Sequence, residues 1–210
     1  MPSNAITAEP RTQEILEQVK GVFAAKGFDS ASMQDLSRAA GMSAGNFYNY
    51  FPSKQAIVEG LIEWQVAQVR SEFEQVMEAE DPQAALRAMV RRRVESQDVC
   101  DGLLWVEIEA AAARRPEFAT LLARLEAEIT RDLVAVLGRI TSVPPAEAET
   151  RFSTPARLIL MLVQGVSVRC AAPCGRPQQD RELGALVVRT IEHVFDEVAG
   201  ALPTASVEGR

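Results

Sequence analysis

The 210-residue chain is expected to be all-α: a three-helix head at the amino end, then a larger helical body, about nine helices together. Three observations lead there. Apolar residues recur at spacings of three and four along most of the chain, the period of a helix packed on one side. The stretch Ser32–Lys54 reads as two short helices around a glycine turn. A run of about 27 residues from Ser53 keeps helical spacing for longer than so small a head could cover, so a second helical body must follow.

Residues 1–7 form an expected loose arm. A first helix runs from about Ala8, with Pro10 tolerated in its first turn, to Lys26. Ile15, Leu16, Val19, Val22 and Phe23 make its apolar stripe, and Gly27-Phe28 supplies the stop. Ser32 is a good N-cap for the second helix, with Asp35 completing a capping-box-like start. Gly41 then falls where a left-handed residue is needed to end that helix. Ser43 caps a third helix, from Ala44 to about Phe51, which Pro52 terminates. Phe47 and Phe51 are four apart and so face inward, with Met42 beside them. Ala44, Gly45, Asn46, Tyr48, Asn49 and Tyr50 are left on the other side.

That outward face holds amides, which can pair with adenine edges, and small residues, which admit a helix to the floor of the major groove. Helix, glycine turn and helix together form the helix-turn-helix pattern. The stretch resembles the DNA-binding domain of the tetracycline-repressor (TetR) family through Ala40-Gly41, Ser43, Gly45, Phe47, Tyr48, Tyr50, Phe51 and Lys54. The resemblance spans about Arg11 to Ile62, with Ser37 where Ala is usual and Gln18-Val19 where Ala-Ala is usual. It implies phosphate contacts from Tyr48, Tyr50 and Lys54, with Ser32 helping. Gln34, Ala44, Gly45, Asn46 and Asn49 are then the base-edge candidates.

Charge alone argues the other way. With 22 basic and 29 acidic residues the chain carries −7. Residues 1–54 balance Arg11, Lys20, Lys26, Arg38 and Lys54 against Glu9, Glu14, Glu17, Asp29 and Asp35, so the excess acid lies downstream. A neutral head on an acidic body suits a protein that touches few phosphates. No signal-like start, no apolar run long enough for a bilayer (Leu158–Val163 is the longest) and three cysteines read as reduced thiols point to the cytoplasm, with no membrane partner.

The body, residues 55–210 against a head of 1–54, continues in helices. Pro82–Val99 carries Leu86, Met89, Val90 and Val94, with Arg93 and Gln97 on or beside that face. Asp101-Gly102 is expected to break the pattern before Leu103–Arg115, which holds Trp105, Val106 and Ile108. Pro116 restarts a helix with Phe118, Leu121, Leu122, Leu125, Ile129, Leu133, Val136 and Leu137 on one stripe. Thr141–Glu149 reads as a loop, and Thr154 as the cap of a nearly all-apolar helix from Pro155 to about Ala172. The last helix, about Asp180–Ala199, has a wide apolar stripe. The final two helices are expected to meet their copies in a four-helix homodimer interface through Leu158, Leu162, Leu186, Ile191, Phe195 and Val198, as the resemblance also implies.

The resemblance further implies a small-molecule effector that weakens DNA binding. Inward stripes offer Phe73, Met89, Arg93, Trp105, Glu107, Met161 and Gln164 as pocket lining. The plainer reading, ordinary core with Arg93 and Glu107 paired to each other, stands beside it. Cys170 and Cys174 invite a redox switch but read more simply as small hydrophobes. Lone His193 argues against a zinc or histidine-based catalytic site, and no cofactor, metal or catalytic residue is expected. Arg91-Arg92-Arg93 reads as a solvated face. The function expected is a ligand-responsive repressor on a palindromic operator; the alternatives are a helical protein-binding adaptor or an enzyme with a vestigial head, against which stands the lack of a phosphate loop or nucleophile-base pair.

Overall fold

The computed structural model describes residues 9–96, 99–171 and 177–200, with backbone alone for Val99, Cys100, Asp101, Cys170, Ala171 and Pro177. The expected arm, the helix start at Ala8, Gln97 and Cys174 lie outside the described residues. Among the described residues there are nine helices and no strand: α1 (Pro10–Ser30), α2 (Met33–Ala39), α3 (Ala44–Tyr50), α4 (Lys54–Glu78), α5 (Pro82–Glu95), α6 (Val99–Arg114), α7 (Pro116–Thr141), α8 (Pro145–Ala171) and α9 (Pro177–Gly200). The chain is all-α, as expected.

Local signals place most ends. Gly27 breaks α1 internally with φ 77° and ψ 163°, so the expected stop is a kink followed by one more turn to Ser30. Three expectations need correction. α6 already starts at Val99, so Gly102 sits inside the helix; a helical glycine costs only about 1 kcal/mol, which burial of Leu104 and Ile108, each 1% exposed, offsets. Val106 is exposed rather than part of that stripe. The third correction is α8, which starts at Pro145 and runs through Pro155. Pro145 suits a first helical position. Ala148, Phe152, Ala156 and Ile159, all 2% exposed or less, then form one buried stripe straight past Pro155, and this packing overrides the breaker.

The expected loop of Thr141–Glu149 therefore shrinks to 142–144. α7 ends with Ser142 N–H donating to the Arg139 carbonyl (3.2 Å) and Val143 N–H to Gly138 (2.9 Å), with Ser142 left-handed at φ 54°. Gly138 is required here, because a Cβ on it would lie 2.9 Å from that of Ala148.

Packing does not follow the single cut at 54/55. One compact unit draws on Met1–Ser71, Ser96–Ile129 and Ser167–Gly175, the other on Glu72–Glu95, Thr130–Val166 and Arg176–Arg210. The core of the first joins Ile15, Leu16, Val19 and Phe23 of α1, Leu36 of α2 and Phe47 of α3. It continues into Ile57 and Leu61 of α4, Leu104 and Ile108 of α6, and Phe118 and Leu125 of α7. The three-helix head thus shares its core with α6 and the front of α7. In the second unit Leu86, Met89, Leu137, Phe152, Ile191 and Phe195 are buried, and Arg87 of α5 pairs with Glu192 and, at 2.5 Å, Asp196 of α9. Among the described residues no helix is long and apolar enough to cross a membrane.

Candidate nucleic-acid interface

The interface is built from α2, its turn and α3. Ser32 opens α2 with a complete capping box: its Oγ accepts from Asp35 N–H (3.1 Å), and its own N–H donates to Asp35 Oδ2 (3.1 Å). Lys26 of α1 closes on Asp35 at 2.8 Å. Lys26, followed by the Ser32 hydroxyl and N–H, holds the Asp35 carboxyl well below the usual carboxylate range. The start of α2 is thereby tied to α1.

α2 ends in a full Schellman turn, which the sequence suggests only through its glycine. Gly41 N–H donates to the Arg38 carbonyl (3.1 Å) and Met42 N–H to that of Ser37 (2.9 Å), with Gly41 at φ 62°. Ser43 Oγ then accepts from Asn46 N–H at 3.4 Å and opens α3. Phe47 (0% exposed) and Phe51 (3%), their rings 5.9 Å apart, fasten α3 to the core, and Met42 packs beside them as expected.

The outer side of α3 presents Ala44, Gly45, Asn46, Tyr48 and Asn49, all exposed, with Tyr48 at 48%. Gln34 and Ser32 are exposed on and before α2. Tyr50 departs from the outward set: it is half-buried and packs on the core. A Cβ added at Gly45 would meet nothing within 4 Å. Its own fold therefore gives no reason for a glycine there, which an exposed helix accepts only at a cost in stability.

The cations of the head are largely committed. Arg11 pairs with Glu14 (2.7 Å), Lys20 with Glu17 (3.6 Å) and Lys26 with Asp35. Lys54, expected at a phosphate, donates to the carbonyls of Asp29 (2.8 Å) and Ala31 (3.1 Å). Arg38, exposed at the end of α2, has no ion-pair partner among the described residues. The sequence reading passed over it because an isolated arginine carries no signal of its own.

The expected pocket lining is scattered. Phe73 and Met89 are buried, Trp105 and Gln164 half-buried, and Met161 is 66% exposed, so it encloses nothing within this chain. Arg93 pairs with Glu72 at 2.9 Å and Glu107 accepts from Phe28 N–H at 2.8 Å, so the two do not pair with each other. Arg91 pairs with Glu192 at 3.2 Å, which leaves Arg92 as the solvated member of that run. Of the expected interface residues, Leu158 (41%) and Leu186 (52%) are exposed and Leu162 is half-buried. Ile191, Phe195 and Val198 are buried within the chain itself, and Phe195 and Val198 line a small cavity with Leu86, Arg87 and Leu137. They belong to the core, and Leu183 and Met161 join the exposed set instead.

A short helix pinned from behind by two phenylalanines, polar yet uncharged in front, is shaped to enter a duplex groove, and its class is the helix-turn-helix DNA-binding transcriptional regulators. Residues 15–61 match the family described as bacterial regulatory proteins, tetR family. The regulator UidR of Escherichia coli K12 is 26% identical over 161 residues, 76% of this chain and 81% of that one. EthR of Mycolicibacterium smegmatis is 35% identical over 83 residues, 39% of this chain and 38% of that protein. The solved structure of Salmonella enterica GusR superposes with a TM-score of 0.67 at 25% identity, covering 89% of this chain and 96% of that one. Residues 15–61 therefore form a DNA-binding domain of the tetR family of bacterial regulatory proteins, and over most of its length the chain is similar to TetR-family transcriptional regulators.

Proposed function

We propose that the protein is a homodimeric repressor that reads a palindromic operator with α3 and lets go of it when a small molecule binds the body. The observation that carries the reading is the outer face of α3. Asn46 and Asn49 offer amides to base edges, Ala44 and Gly45 let the backbone approach, and Gln34 reaches from α2. Tyr48, Tyr50 and Ser32 supply neutral contacts to phosphates and Arg38 a charged one.

Two copies are supported by Leu158, Met161, Leu183 and Leu186, large apolar side chains left exposed on α8 and α9. Paired there, the two reading helices would engage half-sites about 34 Å or a multiple apart. An effector site is supported by the indole N–H of Trp64, which is fully covered yet has no hydrogen-bond partner. An unmet buried donor costs about 1–3 kcal/mol, which a ligand acceptor would remove. A ligand acts only by favouring one spacing of the heads over another.

A mobility shift on the DNA upstream of the protein's own gene tests the reading. Binding should be lost in Tyr48→Ala and should lose about one unit of salt slope in Arg38→Ala. Two copies per duplex should appear by light scattering. Unchanged affinity in both variants, or one copy per duplex, would remove the proposal.

A further inference from the structure

Two arginines far along the chain from the helix-turn-helix sit beside Lys54. We propose that Arg114 and Arg115, at the corner between α6 and α7, together bind a backbone phosphate of the duplex next to the one that Lys54 takes. DNA is then gripped from outside the head as well as by α2 and α3. The proposal rests on α3 being the groove helix and adds a contact more than fifty residues beyond the stretch that matches the family.

Lys54 opens α4 three residues after Phe51, the cap that ends α3. Its ammonium has three donors, and the carbonyls of Asp29 and Ala31 take two of them, at 2.8 and 3.1 Å. The third is left for a phosphate, and the open N–H groups in the first turn of a 25-residue helix favour an anion at the same end. Asp29 couples this lysine to the corner. Its carbonyl accepts from Lys54, while its carboxylate accepts from Arg115 at 2.8 Å and from Arg114 at 3.4 Å. The three cations thus gather around one residue, and they line one small cleft with Phe28 and Phe118. Asp29 is the one acid among the residues lining that cleft, so positive charge is left over after the pairing.

Both guanidiniums stand in solvent, with side chains 58% and 44% exposed. Ion pairs so exposed are weak, and each arginine fork carries five donors, of which the bond to Asp29 engages one nitrogen. Most of both forks is therefore available to a phosphate. The corner itself is rigid. Arg115 N–H donates to the Ala111 carbonyl at 2.9 Å, and its own carbonyl accepts from Phe118 and Ala119, both at 3.1 Å, so this residue closes one helix and opens the next. Its guanidinium lies 5.7 Å from the ring of Phe118, which is 2% exposed. Phosphates follow one another along a strand every ~3.4 Å of helix axis, so cations fixed beside a phosphate-bound lysine meet its neighbour. Two arginines less one carboxylate leave one charge, enough for one phosphate.

The test uses a duplex selected by the wild-type protein from a random library. Affinity is measured for the active fraction over a range of salt, for Arg114→Gln combined with Arg115→Gln, for Asp29→Ala and for Tyr48→Ala. The double variant should bind more weakly and lose about one unit of salt slope, so that its deficit at about 50 mM salt shrinks about three- to fourfold by about 200 mM. Asp29→Ala separates a phosphate contact from a structural tie, because it breaks the ion pairs and leaves both arginines in place. It should bind at least as tightly as wild type, with a slope no shallower. If the double variant does not fold, Arg114→Gln and Arg115→Gln are measured singly, and a shallower slope in either is the expected result. The proposal is overturned if the arginine variants keep the wild-type slope. It is also overturned if Asp29→Ala weakens binding as much as they do, since the arginines would then serve only to hold Asp29. Normal binding by Tyr48→Ala would instead strike at the reading of α3 itself, while the slope of the double variant still reports on the corner.

Discussion

Gly45→Ala separates what α3 needs for folding from what it needs for recognition. Gly45 lies in the first turn of a seven-residue helix, and the added methyl meets nothing within 4 Å. Replacing an exposed helical glycine by alanine should therefore stabilise the chain, by about 0.5–1 kcal/mol. For a domain of this size that raises Tm by about 1–4 °C. In the proposed reading of α3 the same methyl would face the groove floor on DNA. If it costs one base contact, about 1–3 kcal/mol, affinity for a selected duplex falls by about five- to 150-fold. Gly21→Ala is the control, since Gly21 is also exposed on a helix and also has open space at its Cβ position. It should raise Tm similarly and leave binding untouched. Calorimetry and fluorescence anisotropy on the three proteins decide the matter. A more stable Gly45→Ala that binds as tightly as wild type would refute the claim that this end of α3 approaches the bases.

Asp35→Asn should lower Tm at neutral pH. The folded carboxyl titrates below its unfolded value, so its contribution is present above about pH 4 and lost as pH falls through the folded value; Tm difference curves against pH should close on the acid side. Gly27→Ala should destabilise by about 1–3 kcal/mol, through a backbone conformation reserved for glycine together with the crowded Glu107 carboxylate, read by chemical denaturation. Met161→Glu with Leu186→Glu should leave the fold intact by circular dichroism but yield a single copy by light scattering. Pro155→Ala should raise Tm, because it returns the N–H that the Arg151 carbonyl lacks inside a helix already formed.

The head was legible because its signals are local. A serine cap, an acid three residues on, a glycine at the turn and two phenylalanines four apart each act within one or two helical turns, and the structure keeps all of them. Partner choice was not legible. Lys54 finds carbonyls more than twenty residues back, Glu107 an N–H in α1, and Arg93 a carboxylate on α4. No spacing rule encodes such pairings, because they follow from how helices pack. The same cause misplaced the start of α8: a breaker is visible in sequence, whereas the buried stripe that outweighs it depends on what lies opposite. Ile191, Phe195 and Val198 show the converse, since one apolar stripe served two surfaces and periodicity could not say which side each residue faced.

The outer side of α3 has no lysine, arginine, aspartate or glutamate. Few counterions are released when such a surface meets DNA. A cell whose potassium climbs during osmotic stress should therefore keep this regulator seated at its target while more cationic competitors fall away.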